Sequence, residues 1–473
     1  MVANGMRDAG YRYLNLDDCW QIDRDADGVI VVDPDRFPSG MAALAKYVHE
    51  SGLLFGLYTC AGTMTCQERP GSYEYEYVDM QTYADWETDF VKVDWCFTDG
   101  LDSPERYAVF HDAIAATGRE ILLSICNWGY ADPWVWGPLT GTIWRTSGDI
   151  FDHIAGVIIN LTTDEPLAAF SSIGHWNDPD MLEVGNGGMT TEQYKAHFAL
   201  WAILNSPLIA GNDLRDMNQD TRDILLNEEL IAVNQDPNGL QGVIVSQKGN
   251  AKVYARPLTM DGLRAVVLFN GELENEATLE VKWSDLGLLP GPAEVRDLFA
   301  HQDLGPFEGS YSVTLAPTTA AAIRVQGTEA LPVSGNHSLT EQTWKYEATP
   351  QGHIMRNQNA MGNPLTVAGT HYPAGLGAFG AMRLVIHLAS RCTGLTAQVA
   401  LDDAGGPEGS VTFSVVADGK ILFDSGTMTI DSPSQDVQVN LTGKRELTLV
   451  VTPAGDSVSG DFANWLNPVL ICK

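Results

Sequence analysis

The chain has 473 residues, more than one ordinary domain holds, so two or three domains are expected. Hydrophobic residues make up 44%, enough for packed cores, while 61 acidic against 28 basic side chains give a formal charge of −33; that balance argues against nucleic acid or an anionic membrane as partner and leaves a neutral ligand such as a sugar open. No stretch approaches the roughly 20 apolar residues of a membrane span, the opening MVANGMRDAG lacks the pattern of a secretory signal, and the seven cysteines form no CxxC pair, so no metal site is expected.

In chain order, residues 11–18 (YRYLNLDD), 53–60 (LLFGLYTC), 89–95 (DFVKVDW), 121–128 (ILLSICNW), 142–149 (TIWRTSGD), 172–180 (SIGHWNDPD) and 206–213 (SPLIAGND) read as strands. Segments such as MAALAKYVHESG and YKAHFALWAILN between them carry apolar residues at helical spacing. Strand and helix alternating over residues 1–236 predict an α/β domain with a parallel sheet. Six of the seven strands end in polar and aromatic clusters (DDCW, YTC, KVDWC, CNW, WRTSGD, WNDPD), which favours the C-terminal mouth of a (β/α)8 TIM-type barrel over the single crevice of a doubly wound sheet. Eight strands are needed and seven are counted. Because the chain opens on what reads as a helix end, the first strand is the one expected to be missing, with YRYLNL and SPLIAG flanking a gap or a segment borrowed from elsewhere. Short strands with turn signals over residues 237–327 predict an antiparallel β-sandwich, residues 328–339 a linker, and residues 340–473 a second all-β unit with VTFSVVADGKILFDSG as its clearest hairpin.

The run DFVKVDWC at 89–96 poses a chemical question, since alternation puts Phe90, Lys92 and Asp94 on one face of the strand and Val91 and Val93 on the other. Taken alone, Lys-x-Asp is a strand with one wetted face. Its neighbours point elsewhere. LNLDDCW, LYTCAGTMTC, FVKVDWC, SICNWG, WRTSGDI and WNDPDMLEVGNGGMT, in this order and spacing, resemble glycoside hydrolase family 27, the α-galactosidases and α-N-acetylgalactosaminidases, over residues 1–327.

Glycoside hydrolysis needs two carboxyl groups flanking the anomeric carbon. Asp94 suits the nucleophile, with Lys92 on the same face expected to keep it ionised, and Asp149, four residues past Arg145, is the candidate acid/base whose proton must be available at the working pH. The resemblance gives both residues those roles and implies retention of configuration. It further implies that Asp17 and Asp18 bind O4 and O6 of galactose, that Lys92, Arg145 and Asp180 bind other hydroxyls, and that Tyr58, Trp128 and Met181 form apolar walls, with Cys66 and Asn127 also among the substrate contacts. Singly, DD before a helix is an N-cap and WNDPD an Asp-Pro turn; their convergence at successive strand ends makes a site the better reading. Set against the resembled family, Asn127 and the bulky Tyr130 are expected to favour a 2-hydroxyl over an N-acetyl group, and the two aspartates in DDCW to favour galactose over arabinopyranose. Alternatives are a β-L-arabinopyranosidase of the same family and a non-catalytic galactoside-binding protein with an inactive barrel.

Two departures from the family pattern stand out: Cys60 takes the place of an aspartate, and the strand with a Met-Gly-Trp-Asn-Ser-Trp segment is missing. No cofactor is called for. The resemblance implies a Cys66–Cys96 disulfide and leaves Cys19, Cys60 and Cys126 free; a reduced cytoplasmic chain is the alternative to a secreted one. HYPAGLGAFG, LTAQVALDD, GSVTFSVVADGKILFDSG and DFANWLNPVLIC resemble the NPCBM carbohydrate-binding module, and a Cys392–Cys472 disulfide is expected there. The expected partner is a galactose-containing oligosaccharide or polysaccharide, met outside the cell.

Overall fold

The computed structural model describes residues 1–473 and divides into two compact units, each with its own frame. The first comprises residues 1–160, 174–188 and 207–231. Its frame is a parallel sheet of six strands whose spatial order is their sequence order: Tyr13–Asn15, Leu54–Cys60, Phe90–Asp94, Leu122–Cys126, Ile143–Arg145 and Trp176–Asp178. Stepwise addition in one direction is how a (β/α)8-type barrel is wound. Leu54–Cys60 buries every residue but its first, and Phe90–Asp94 leaves only Lys92 partly open; strands covered on both faces are why these runs read as nearly continuous apolar sequence.

Register then decides what meets at the strand ends. Tyr58 lies beside Lys92 and Cys60 beside Asp94, while on the other side Lys92 pairs with Ser124 and Asp94 with Cys126. The connecting segments are firmly punctuated. Helix Ser103–Thr117 starts with the Asp102 side chain accepting the Glu105 N–H at 3.0 Å and stops at Gly118, in the left-handed region at φ 71°. At Gly62 a Cβ would lie 2.0 Å from the Cys96 carbonyl oxygen, so the two loops that carry the site's disulfide approach as closely as they do only because this residue is glycine.

The seventh expected strand is a correction. Residues 206–213 form no strand, and a single parallel bridge, Leu182 to Ala210, stands in its place. Pro207 has no N–H for a ladder, and Asn205, two residues before it, holds φ 60°. Strands Tyr13–Asn15 and Trp176–Asp178 are the two ends of the sheet. A hairpin of Gln21–Arg24 with Ile30–Val32, not foreseen from the sequence, follows the first strand.

The second unit comprises residues 161–173, 189–206 and 232–473. Helix Thr191–Ile203 opens on a reciprocal capping box between Thr190 and Gln193 and buries every residue from Ala196 to Ile203 against strands that include Leu263–Asn270 and Ala320–Gln326. Those strands belong to a six-stranded antiparallel sheet, faced by the pair Ala277–Lys282 and Ser310–Leu315 around Leu268, Val281, Trp283, Val295 and Ile323. Glu329, in the segment expected to be a linker, is held by Arg264 through two hydrogen bonds of 2.9 and 2.8 Å.

The remaining strands form two antiparallel sheets closed over Leu384, Leu395, Phe413, Leu449 and Trp465, with a separate small hairpin of Leu365–Val367 and Thr370–Tyr372. Hairpin Ser410–Ala417 with Lys420–Thr429 turns at Asp418 and Gly419, both at positive φ, the Asp-Gly signal that made it legible in the sequence. Strand Phe462–Cys472 pairs with three others, Gly335–Ser338, Gly375–Phe379 and Cys392–Leu401, and Cys392 and Cys472 are joined by a disulfide.

Candidate active site

The residues singled out at the strand ends all fall in the first unit, and hydrogen bonds and ion pairs gather most of them into two groups. Asp94, 6% exposed at the end of its strand, is at the centre of the first. Its Oδ2 accepts the Tyr58 hydroxyl at 2.9 Å and its Oδ1 accepts the Trp95 N–H at 2.8 Å. The Cys66–Cys96 disulfide is formed, with Cys66 Sγ 3.4 Å from Asp94 Oδ2. Cys66, Asp94 and Cys96 bring metal-ligand atom types together, but with both sulfurs in a disulfide no thiolate remains to hold an ion.

Lys92 lowers the Asp94 carboxyl, though burial has the larger effect. Its Nζ is bonded to Asp17 Oδ2 at 2.9 Å and sits 5.3 Å over the centre of the Tyr58 ring. Burial pushes the Asp94 carboxyl above its ordinary value, and although Lys92, the Trp95 N–H and the Tyr58 hydroxyl pull it down, the net shift is upward, with Asp149 adding repulsion. Lys92 therefore limits a shift that burial dominates. The ammonium itself is lowered by burial but raised more by Cys126, Asp17 and Asp94, so it stays charged.

Arg145 holds the second group together. Only 3% exposed, it reaches Asp180 Oδ2 at 2.9 Å and Asp149 Oδ1 at 3.1 Å, with the Ser147 carbonyl at 3.1 Å. The four-residue spacing from Arg145 to Asp149 is thus a direct ion pair, with the Asp149 side chain 78% exposed at the mouth. Asp180 is held at φ 87°, in the left-handed region, by its own side chain accepting the Met181 and Ile150 N–H groups, both at 2.8 Å. Met181 is half-buried beside it.

Asp17 is open to solvent, whereas Asp18 is fastened by the Cys19 and Gln67 N–H groups at 2.6 and 3.0 Å. Tyr58 is 1% exposed and acts as a donor to the carboxylate rather than simply as a wall; burial, with Asp94 next, pushes its phenol far above the ordinary value. Trp128, at φ 58°, is 37% exposed. Asn127 is fully buried, with its Nδ2 given to Ser103 Oγ at 3.1 Å and to the Tyr130 carbonyl and its Oδ1 without a protein partner.

One group escaped the sequence reading, whereas the free Cys60 and Cys126 were expected. Asp178, buried at the end of Trp176–Asp178, accepts the Asp180 N–H at 2.9 Å through Oδ1, and its carbonyl accepts the Thr146 N–H at 3.0 Å. Burial pushes its carboxyl up to about 6 against the pull of Arg145, with Asp180 adding to the rise. Alternation from Trp176 through Asp178 to Asp180 was the available signal, and the Asp-Pro turn reading hid it. Cys126, a buried free thiol, lies 3.7 Å from Arg145 Nη1. Cys60, also free and buried, exchanges contacts of 3.1 Å with the Cys96 N–H and carbonyl, and burial pushes its thiol up to about 12. Cys19 is free as expected.

Known proteins match this layout. Residues 1–236 match the family described as alpha galactosidase A, residues 248–325 the alpha galactosidase C-terminal beta sandwich domain, and residues 335–471 the NPCBM/NEW2 domain. The alpha-galactosidase of Cyamopsis tetragonoloba is 43% identical over 318 residues, covering 67% of this chain and 77% of that protein. Alpha-galactosidase A of Cellvibrio japonicus is 46% identical over 295 residues, covering 60% of this chain and 72% of that protein. Among solved structures, alpha-galactosidase I from Mortierella vinacea superposes with a TM-score of 0.66 at 32% identity, covering 69% of this chain and 90% of that one. With relatives of this identity and coverage and family matches over both its barrel and its sandwich, the chain belongs to glycoside hydrolase family 27, the α-galactosidase family, and is a glycosidase that hydrolyses α-galactosides.

Proposed function

We propose that the protein is an exo-acting, retaining hydrolase of terminal α-linked D-galactose in oligosaccharides or glycans. The observation that carries this reading is the placement of two aspartates of opposite character: Asp94 buried and held by two donors, Asp149 exposed at the mouth and paired with Arg145. In the first step the Asp94 carboxylate forms a bond to the anomeric carbon while the bond to the leaving oxygen breaks, and Asp149 gives that oxygen its proton. In the second, Asp149 takes a proton from water as the water oxygen displaces Asp94, releasing galactose with its configuration retained. Asp17, Asp18, Lys92, Arg145 and Asp180 supply charged hydrogen-bonding groups for the sugar's hydroxyls. A galactoside with a free 2-hydroxyl is the preferred substrate, the reading of Asn127 and Tyr130, and two disulfides fit work outside the cell, where thiols are oxidised. No helix of the chain is long and apolar enough to cross a membrane.

The test is proton NMR of the first sugar formed from a nitrophenyl α-galactoside. Initial release of α-galactose is expected; initial β-galactose would overturn retention. Parallel rates on the α-N-acetylgalactosaminide and the β-L-arabinopyranoside should be much lower, and efficient cleavage of either would remove the specificity assignment.

A further inference from the structure

Within the second unit, the two β-sandwiches meet along a close seam. Gly287, at φ 66°, has the Trp344 carbonyl oxygen 2.3 Å from where a Cβ would lie, and Tyr346 donates its hydroxyl to the Gln241 carbonyl at 2.8 Å. Both Trp344 and Tyr346 line a cavity of about 330 Å³ on this seam. Its volume lies at the small end of the range for ligand sites, about 300 to 1,000 Å³.

In a chain with a charge of −33, four of the side chains lining this cavity are nonetheless cationic: Arg256, Arg264, Lys345 and Arg356. Two are already neutralised, Arg264 by both oxygens of Glu329 and Lys345 by Glu446 at 2.6 Å. The other two are not. Arg256, 1% exposed in strand Ala251–Pro257, gives its terminal nitrogens to the side-chain oxygens of Asn205 and Asn238, and its Nε has no protein partner. Asp236 attracts it through space but gives its own oxygens to Thr259, and burial pushes the guanidinium down to about 10. Arg356 stacks over the Trp344 ring at 3.4 Å and donates to the Thr340 and Gln342 carbonyls. The acidic side chains of the lining are engaged elsewhere, Glu347 with His353 and the Ile354 N–H, Asp285 with the Lys282 N–H and the Ser284 hydroxyl.

Gln342, buried in the same lining, uses its Oε1 to accept the Val333 N–H at 3.2 Å, and its Nε2 has no partner. A buried cation without an anion and a buried amide donor without an acceptor each cost free energy. An oxyanion supplies what both lack, and the planar guanidinium is the group best shaped to receive one.

We infer that this cavity is an anion site, taking a carboxylate or sulfate group, free or carried on a sugar, with Arg256, Gln342 and Arg356 as its donors. The first sandwich supplies Arg256 and the second supplies Gln342 and Arg356, so the bound anion ties the two together. The assignment is independent of the reading of Asp94 as nucleophile.

The test is calorimetric titration of the full chain at fixed ionic strength with sodium sulfate, D-galacturonate and D-galactose, for the parent and the Arg256→Gln, Arg356→Gln and Gln342→Glu variants. Both anions should bind the parent. Each arginine variant should weaken them about tenfold or more, the scale of one charge-assisted hydrogen bond. Gln342→Glu, which sets a carboxylate oxygen in place of the free amide nitrogen, should abolish binding. Galacturonate binding more tightly than sulfate would assign the site to an acidic sugar, and sulfate binding at least as tightly would assign it to the free oxyanion. Should Arg256→Gln fail to fold, Arg356→Gln, an exposed residue, decides alone. Its galactose affinity and its rate on a nitrophenyl α-galactoside should match the parent. Failure of both anions to bind, anion affinities unchanged in the variants, or a loss of galactose affinity parallel to that of the anions would overturn the proposal.

Discussion

The Tyr58 hydroxyl donates to Asp94 Oδ2 at 2.9 Å across two adjacent parallel strands. A donor of this kind favours the ionised carboxyl, so among the forces on Asp94 it opposes burial. Tyr58→Phe keeps the ring and deletes the donor. The Asp94 carboxyl should then rise further, and the acid limb of kcat/KM should move to higher pH. An acid limb that stays in place would show that another group sets it.

Removing either carboxyl should separate activity from folding. Asp149→Asn is expected to lower turnover on a galactoside with a poor leaving group by about 10²–10⁴-fold, the usual range for a positioned acid/base, and Asp94→Asn by at least as much. Near-ultraviolet circular dichroism of both variants should match the parent. Stability should respond in a particular direction for Asp94→Asn. A carboxyl raised in the folded state contributes stability that is full below the unfolded value and lost as pH rises through the folded one. The asparagine variant, which cannot ionise, should therefore melt above the parent at neutral pH, with the gap closing in acid.

Asp178 should make the same linkage measurable over a defined window. Its folded value of about 6 lies above the roughly 3.9 of an unperturbed aspartate, so the parent loses this contribution as pH rises between those values. Asp178→Asn keeps an oxygen for the Asp180 N–H and removes the titration. Urea unfolding across that window should show a smaller pH slope in the variant. An unchanged slope would mean that Asp178 ionises in the folded state as it does in the unfolded chain.

Much of this site was legible because its chemistry follows from spacing. The two-residue period of a strand placed Lys92 and Asp94 together, and the four residues between Arg145 and Asp149 became an ion pair. The balance of forces was not legible. That burial would outweigh Lys92 at Asp94, that Tyr58 would serve as a donor, and that Asp178 would be enclosed beneath Arg145 depend on neighbours distant in sequence. The strand expected at 206–213 failed for a related reason: its apolar run matches the pattern, but Pro207 and the local backbone admit only the Ala210 bridge.

In the second unit, Arg264 is 1% exposed and its guanidinium is matched by both oxygens of Glu329, which also accepts the Gly262 N–H at 2.8 Å. Burial alone would raise the glutamate, but the hydrogen bonds and charge of Arg264 win and hold it below its ordinary value. Glu329→Gln strands a buried cation and should cost about 3–5 kcal/mol. Because the glutamate is depressed, its contribution is present above the unfolded value and lost as pH falls through the folded one. Denaturant unfolding should find the parent and variant far apart at neutral pH and converging in acid.

Strand Phe462–Cys472 sits inside its sheet and pairs with segments as far back as Gly335–Ser338. During synthesis, the strands that precede it must wait without their central partner until it has left the ribosome. Local hairpins such as Ser410–Thr429 can form early, but closure of the sheet is a late, long-range event, slow by the general relation between topology and folding rate. The interval before that closure is when this half of the protein is most exposed to aggregation and most in need of a chaperone.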